Sequence, residues 1–219
     1  MEIKGLIFDM DGLMIDTEKL LQKFWVQAAR ELGYPMELKH TLQIRSLSAE
    51  FAAAKLKGIF GDTFDYYAVR DRRRALMAEH VSKYGVEEKP GLGELLDYAK
   101  QKGYRLGVAT ATDAQRTEQY LNCIGKYTYF DAFVCGSMVK KGKPEPDIYL
   151  EAARQLGLNP QECIALEDSP NGILAAYRAG CVPVMVPDLD QPDEETNALL
   201  YGKVDTLQDV ISLLESMCV

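Results

Sequence analysis

Phe8-Asp9-Met10-Asp11-Gly12 follows directly on the apolar run Ile3 to Phe8. Two carboxylates one residue apart, where a short buried strand runs into a glycine turn, can supply a nucleophile and a proton donor side by side. Asp and Gly are also ordinary turn residues, so the motif takes chemical meaning only from partners elsewhere. Three such partners follow. Thr110-Ala111-Thr112 succeeds a strand ending at Ala109, Lys143 lies in Gly142-Lys143-Pro144-Glu145-Pro146-Asp147, and Glu167-Asp168 succeeds the strand Cys163 to Leu166. Together they are the parts needed for phosphoryl transfer. A carboxylate can attack phosphorus, and a second carboxyl can protonate the leaving oxygen. A hydroxyl and a lysine can hold the phosphoryl oxygens. Further carboxylates suit a hard divalent cation, for which Mg²⁺ is the natural choice. The chain has two histidines, His40 and His80, and neither stands near another ligand candidate, which argues against zinc.

These groups must be brought to one place by the elements between them. After Pro90 the pattern alternates strand and helix. Tyr104 to Ala109, Ala132 to Cys135, Cys163 to Leu166 and Val182 to Val186 read as strands. Helices are expected over Asp113 to Ile124, Asp147 to Leu156, Ser169 to Gly180 and Thr206 to Met217, with capping residues and glycine stops at their ends. With Ile3 to Phe8 this gives an α/β fold: a doubly wound parallel sheet of five or slightly more strands, covered on both faces. Parallel strands place their carboxyl ends on one edge, where ligands bind in such sheets. The stretch from Asp16 to about Glu88 breaks the rhythm. Leu20, Leu21, Phe24, Trp25, Ala28 and Leu32 recur at helical spacing, and Phe51 to Ile59 and Tyr66 to Tyr84 continue it. The expected organisation is a core of residues 1–15 and 89–219 with a helical domain of residues 16–88 inserted after the first strand.

Composition sets the bounds. A chain of 219 residues with 47% hydrophobic content can bury a sizeable core. Its net charge of −8 argues against an electrostatic nucleic-acid binder and requires an anionic substrate to be held by local positive charge. Five scattered cysteines without a Cys-x-x-Cys pair fit reduced thiols in a cytoplasmic protein. No targeting segment and no membrane span is expected.

The order and spacing of the four groups resemble the haloacid dehalogenase superfamily, in the subgroup whose helical cap is inserted just after the first motif. Phe8 to Glu18 resembles the first motif nearly residue for residue, Val108-Ala109-Thr110 the second, Lys143-Pro144 the third and Leu166-Glu167-Asp168-Ser169 the fourth. The resemblance covers essentially the whole chain. It implies Asp9 as nucleophile and metal ligand, and Asp11 as general acid/base with its backbone carbonyl on the metal. It implies Thr110, Ala111 and Lys143 at the phosphoryl group, and Asp168 on Mg²⁺ with Glu167 as a further ligand or a partner behind it. Asp9 is expected to be ionised, favoured by Mg²⁺ and Lys143. Asp11 at the second carboxylate position favours phosphate esters over carbon–halogen bonds or phosphonates.

Within the superfamily the sequence looks most like β-phosphoglucomutase and its phosphatase relatives. Those mutases carry a histidine where this chain has Leu21, and an arginine where it has Ala49 after Ser48. The resemblance therefore implies a Mg²⁺-dependent phosphatase acting as a monomer on a small phosphorylated metabolite, a sugar phosphate by preference. A phosphosugar mutase and a non-catalytic regulator of the same fold are the alternatives. In the cap, Arg45 and Arg73 are candidate substrate contacts. The neighbouring Arg70, Arg72 and Arg74 read as a solvated face paired with Asp71 and Glu79, and the two histidines as surface residues.

Overall fold

The computed structural model describes residues 2–44, 47 and 49–217. In chain order its elements are β1 (Gly5–Phe8), α1 (Glu18–Glu31), α2 (Leu38–Leu42), α3 (Ala49–Phe60), α4 (Tyr66–Tyr84), α5 (Leu92–Lys102), β2 (Arg105–Thr110), α6 (Ala114–Cys123), β3 (Ala132–Cys135), α7 (Asp147–Leu156), β4 (Cys163–Glu167), α8 (Pro170–Ala179), β5 (Val182–Met185), α9 (Glu194–Asn197), β6 (Gly202–Lys203) and α10 (Asp209–Met217). They fall into two compact units. One comprises the chain up to Asp16 and from Val86 onward, and the other is Thr17–Gly85.

The first unit is built on a parallel sheet in the order β3-β2-β1-β4-β5-β6. Residues of β1, β4 and β5 are buried throughout, as strands covered on both faces must be. One core layer gathers Ile7, Ala109, Val134 and Ala165 from the strands with Tyr149, Ala152, Leu156 and Ala176 from α7 and α8. Successive strand residues alternate faces, so Leu6, Phe8, Leu106 and Val108 point the other way. Phe8 meets Phe130 edge-on at 5.7 Å.

The chain leaves β1 rightward to β2 and β3, then returns to pair β4 on the opposite side of β1. The order therefore reverses between β1 and β4, and the crevice beyond their carboxyl ends is where a doubly wound sheet binds its ligand. Asp9 and Glu167-Asp168 stand at those two ends.

Some expectations shift. The sheet has six strands, the sixth only two residues long and far too short to leave a periodic signal. Helices α2, α5 and α9 join those anticipated. The last helix starts at Asp209, because the Thr206 amide and hydroxyl donate to the Asp209 carboxylate and hold Thr206 outside the helix. Helix α7 spans Asp147–Leu156 and α4 spans Tyr66–Tyr84, both at the expected bounds.

The second unit is wholly helical among its described residues. Helices α1 and α4 pack side by side, burying Phe24, Ala28, Val69, Leu76 and Met77. The Asp65 carboxylate accepts from the Ala68 amide at 3.0 Å and caps α4. The histidines are not simple surface residues. The His40 ring lies edge-on to Phe60 at 5.1 Å and its Nδ1 accepts from the Glu37 amide, while His80 lies between Phe24 and Tyr84. Each is half-exposed and makes ring contacts that the helical pattern alone does not reveal. No helix among the described residues is long and apolar enough to cross a membrane.

Candidate active site

The first unit brings Asp9, Asp11, Thr110, Lys143, Glu167 and Asp168 to one sheet edge. Asp9 continues β1 by one residue, its amide donating to the Leu166 carbonyl of β4. The chain then turns back on itself: the Gly12 amide donates to the Ile15 carbonyl, and the Met14 amide to the Met10 carbonyl. Gly12 adopts φ +86°, and a Cβ there would collide with the Asp168 carboxylate, so both its backbone and its lack of a side chain are required. The returning segment fastens this loop from outside. The Lys89 amide donates to the Met14 carbonyl, and the Asp16 amide to the Glu87 carbonyl.

Lys143 is placed by the loop leading into α7, with a cis bond to Pro144. Its ammonium donates to Asp9 Oδ1 at 2.5 Å, to Glu167 Oε1 at 2.6 Å and to the Ala109 carbonyl at 2.9 Å. The Asp9 and Lys143 side chains are only 10% and 11% exposed, so solvent screens this pairing little. Asp11 accepts from Thr112 Oγ1 at 2.7 Å, with Thr110 Oγ1 3.5 Å from the same oxygen. Carboxylate oxygens of Asp9, Glu167 and Asp168 lie within 4.8 Å of one another. Three carboxylates beside the Lys143 ammonium gather acidic oxygens at this sheet edge, and such a donor set fits a hard divalent cation.

Lys143 draws the Asp9 carboxyl toward its ionised form, as expected. Without the metal, Lys143 alone does not offset the burial of Asp9. Burial pushes the Asp9 carboxyl up to about 7 against the pull of Lys143, with Glu167 and Asp11 adding to the rise. One ammonium faces two carboxylates and cannot neutralise both. Burial also works against the Lys143 charge, but Asp9 and Glu167 outweigh it and hold the ammonium above its usual value. Burial, together with Glu167, keeps the Tyr149 phenol well above its usual value, so it remains a hydrogen-bond donor.

The other predicted contact residues have the following settings. Ala111 is exposed in the loop after β2 and brings no polar side chain. Arg73 belongs to the helical unit, half-buried on α4, with its guanidinium 5.2 Å over the Trp25 ring. Arg45, with Ser46 and Ser48, lies outside the described residues. Arg70, Arg72 and Arg74 pair with Asp71, Glu31 and Glu79 as a solvated face does. Leu21 and Trp25 line a cavity of about 180 Å³ within the helical unit, together with Glu18, Gln22, Thr41, Ile44, Leu47 and Tyr66.

Three polar residues at the site have roles that a reading of motifs does not give. Thr112 holds Asp11, Ser169 donates to Glu167 Oε2 at 3.1 Å, and Tyr149 donates to Glu167 Oε1 at 2.6 Å. Thr112 and Ser169 stand within the quoted segments, but their residue types assign them no role there. Tyr149 reads as an apolar helix position, and nothing in the sequence shows its hydroxyl turning to a carboxylate.

Comparison with known proteins agrees with this geometry. A family profile described as haloacid dehalogenase-like hydrolase matches residues 6–186. The chain is 30% identical over 203 residues to hexitol phosphatase A of Escherichia coli (strain K12), covering 88% of this chain and 90% of that protein. It is 29% identical over 191 residues to β-phosphoglucomutase of Bacillus subtilis (strain 168), covering 84% and 83%. Among solved structures, CbbY from Rhodobacter sphaeroides in complex with phosphate superposes with a TM-score of 0.77 at 26% identity, covering 95% of this chain and 96% of that one. With its motifs converging at the switch point of a doubly wound sheet, the chain belongs to the haloacid dehalogenase-like hydrolases, among the members that resemble β-phosphoglucomutase and its phosphatase relatives.

Proposed function

We propose that this chain is a Mg²⁺-dependent phosphatase that hydrolyses a small phosphorylated carbohydrate through a phosphoryl group carried on Asp9. The observation that carries the reading is the buried arrangement of Lys143 between Asp9 and Glu167, with Asp168 alongside. Nothing in folding requires one ammonium and three carboxylates at the end of a sheet, and burying them is costly.

Asp9 Oδ attacks phosphorus and forms an acyl phosphate as the ester P–O bond breaks. Asp11 gives its proton to the departing oxygen. Asp11 then takes a proton from water, whose oxygen attacks phosphorus and releases inorganic phosphate, restoring Asp9. Lys143 and the Thr110 hydroxyl hold the phosphoryl oxygens, and Thr112 fixes the Asp11 carboxyl. Asp9, Glu167, Asp168 and the Asp11 backbone carbonyl would hold Mg²⁺. Bound there, the ion supplies positive charge that favours ionised Asp9 and lets it approach an anionic phosphate. The helical unit corresponds to the cap of this family, with Arg45 and Arg73 as the candidate contacts to the rest of the substrate. The protein acts as a monomer in the cytoplasm.

The likeness to a β-phosphoglucomutase gives the second reading, transfer of the phosphoryl group to a sugar hydroxyl. Leu21 cannot hydrogen-bond and Ala49 offers no phosphate clamp, which favours water as the acceptor. The test follows isomerisation and inorganic phosphate together on β-glucose 1-phosphate with catalytic bisphosphate, beside a panel of sugar phosphates, with Mg²⁺ or chelator. Phosphate release that needs Mg²⁺ and outpaces isomerisation is expected. Isomerisation faster by orders of magnitude would establish the mutase instead.

A further inference from the structure

Glu167 is held far more tightly than a motif residue needs to be. It is wholly buried, and both of its oxygens are engaged. Oε2 accepts from the Ser169 hydroxyl at 3.1 Å and lies 3.4 Å from the Ser169 amide, at the start of α8. Oε1 accepts from Lys143 Nζ at 2.6 Å and from the Tyr149 hydroxyl at 2.6 Å. Gly172 completes the cradle, since a Cβ there would occupy the place of the Glu167 carboxylate.

Tyr149 lies in the first turn of α7, six residues beyond Lys143. Its ring is fully buried in the core layer beneath the sheet edge, and the Lys143 ammonium stands 5.2 Å from the ring centroid. A buried phenol needs a hydrogen-bond partner. This one is turned to the single carboxylate that also anchors the lysine facing Asp9. Loop, ring and carboxylate therefore form one closed unit: α7 places Tyr149, Tyr149 fixes Glu167, and Glu167 fixes Lys143.

We infer that Tyr149 is a positioning residue for phosphoryl transfer, acting through Glu167 to hold both Lys143 and the metal-binding carboxylates in register. The inference rests on the roles proposed for Asp9, Lys143 and Glu167. It concerns a residue that touches neither substrate nor metal. Without the hydroxyl, Glu167 Oε1 keeps only Lys143, and the carboxylate loses one of the bonds that fix its orientation. Partners behind metal-binding groups typically carry ten- to a hundredfold in metal affinity or activity.

The test is Y149F in the full chain, which removes one oxygen from a buried ring. Mg²⁺ binding is measured calorimetrically without substrate, and kcat and KM are measured on an aryl phosphate at saturating Mg²⁺. The expected result is Mg²⁺ affinity weakened about tenfold or more, kcat lowered, and KM nearly unchanged. In an E167Q background, Y149F should then add no further loss. Y149M, which keeps apolar volume without the hydroxyl, carries the same comparison should Y149F misfold. Wild-type Mg²⁺ affinity and kcat in a folded Y149F overturn the inference. So does a loss that persists in full in E167Q, because the ring would then be acting through packing alone. D9N separates the underlying reading: turnover by D9N removes the proposed mechanism, whereas inactive D9N beside unaffected Y149F removes only the role of Tyr149.

Discussion

Thr112 Oγ1 donates to Asp11 Oδ2 at 2.7 Å, and the Thr112 amide donates to Thr110 Oγ1 at 3.1 Å. The loop after β2 thus orients the carboxyl that follows β1, across 101 residues of sequence. T112V keeps the branched shape and deletes the donor. We expect kcat to fall about tenfold with KM nearly unchanged, equivalent to about 1.4 kcal/mol of transition-state stabilisation. T112S should restore most of the rate. A T112V enzyme with wild-type kcat would show that Asp11 needs no such guide.

D9N should abolish turnover, by about 10³-fold or more. The amide oxygen is a poor nucleophile, and the change also takes a charge from the acidic cluster. Phosphate release by a purified variant with a native circular-dichroism spectrum decides it. Retention of more than a small fraction of the rate would remove Asp9 as nucleophile.

Asp168 and Glu167 should fail in different ways. Asp168 is partly exposed, and D168A should weaken Mg²⁺ binding while changing folding stability by less than about 1 kcal/mol. Glu167 is wholly buried against Lys143 and Tyr149, so E167A leaves Lys143 with Asp9 but strands the buried Tyr149 hydroxyl, and should cost about 1–3 kcal/mol. Urea denaturation and Mg²⁺ titration of both variants separate the effects. Equal Mg²⁺ titrations for wild type and D168A would contradict the assignment.

The raised Asp9 value links stability to pH. Burial pushes its carboxyl up to about 7 in the folded metal-free chain, from an ordinary value of 3.8. The folded state therefore holds the proton more tightly. Its stabilising contribution is complete below about pH 4 and is lost as pH rises to about 7, a change on the order of a few kcal/mol. The stability difference between wild type and D9N, measured with chelator, should fall across this window. Mg²⁺, which favours ionised Asp9, should reduce the fall and release a proton on binding. A flat difference would refute the raised value.

Residues that announce chemistry by type and local punctuation were readable without a structure. Asp9 and Asp11 follow an apolar run into Gly12, and Glu167-Asp168 follow another into a Ser-Pro helix start. Strand ends in a parallel sheet share an edge, so their convergence followed from topology. The bounds of α7 and α4 were legible because caps and 3.6-residue periodicity are local properties. Strand β6 was not, since two residues carry no period, and the aromatic packing of His40 and His80 depends on which helices become neighbours.

The sequence alone determined the fold class, the helical insert and the set of groups able to move a phosphoryl group, because each rests on local pattern and on the order of elements. Only the tertiary structure decided which partner each group takes. It turned the Tyr149 hydroxyl to Glu167 and the Thr112 hydroxyl to Asp11, and it buried Asp9 deeply enough that Lys143 does not offset the burial. Burial and hydrogen-bond direction arise from side chains meeting across the sheet, far apart in sequence, and no local spacing encodes them.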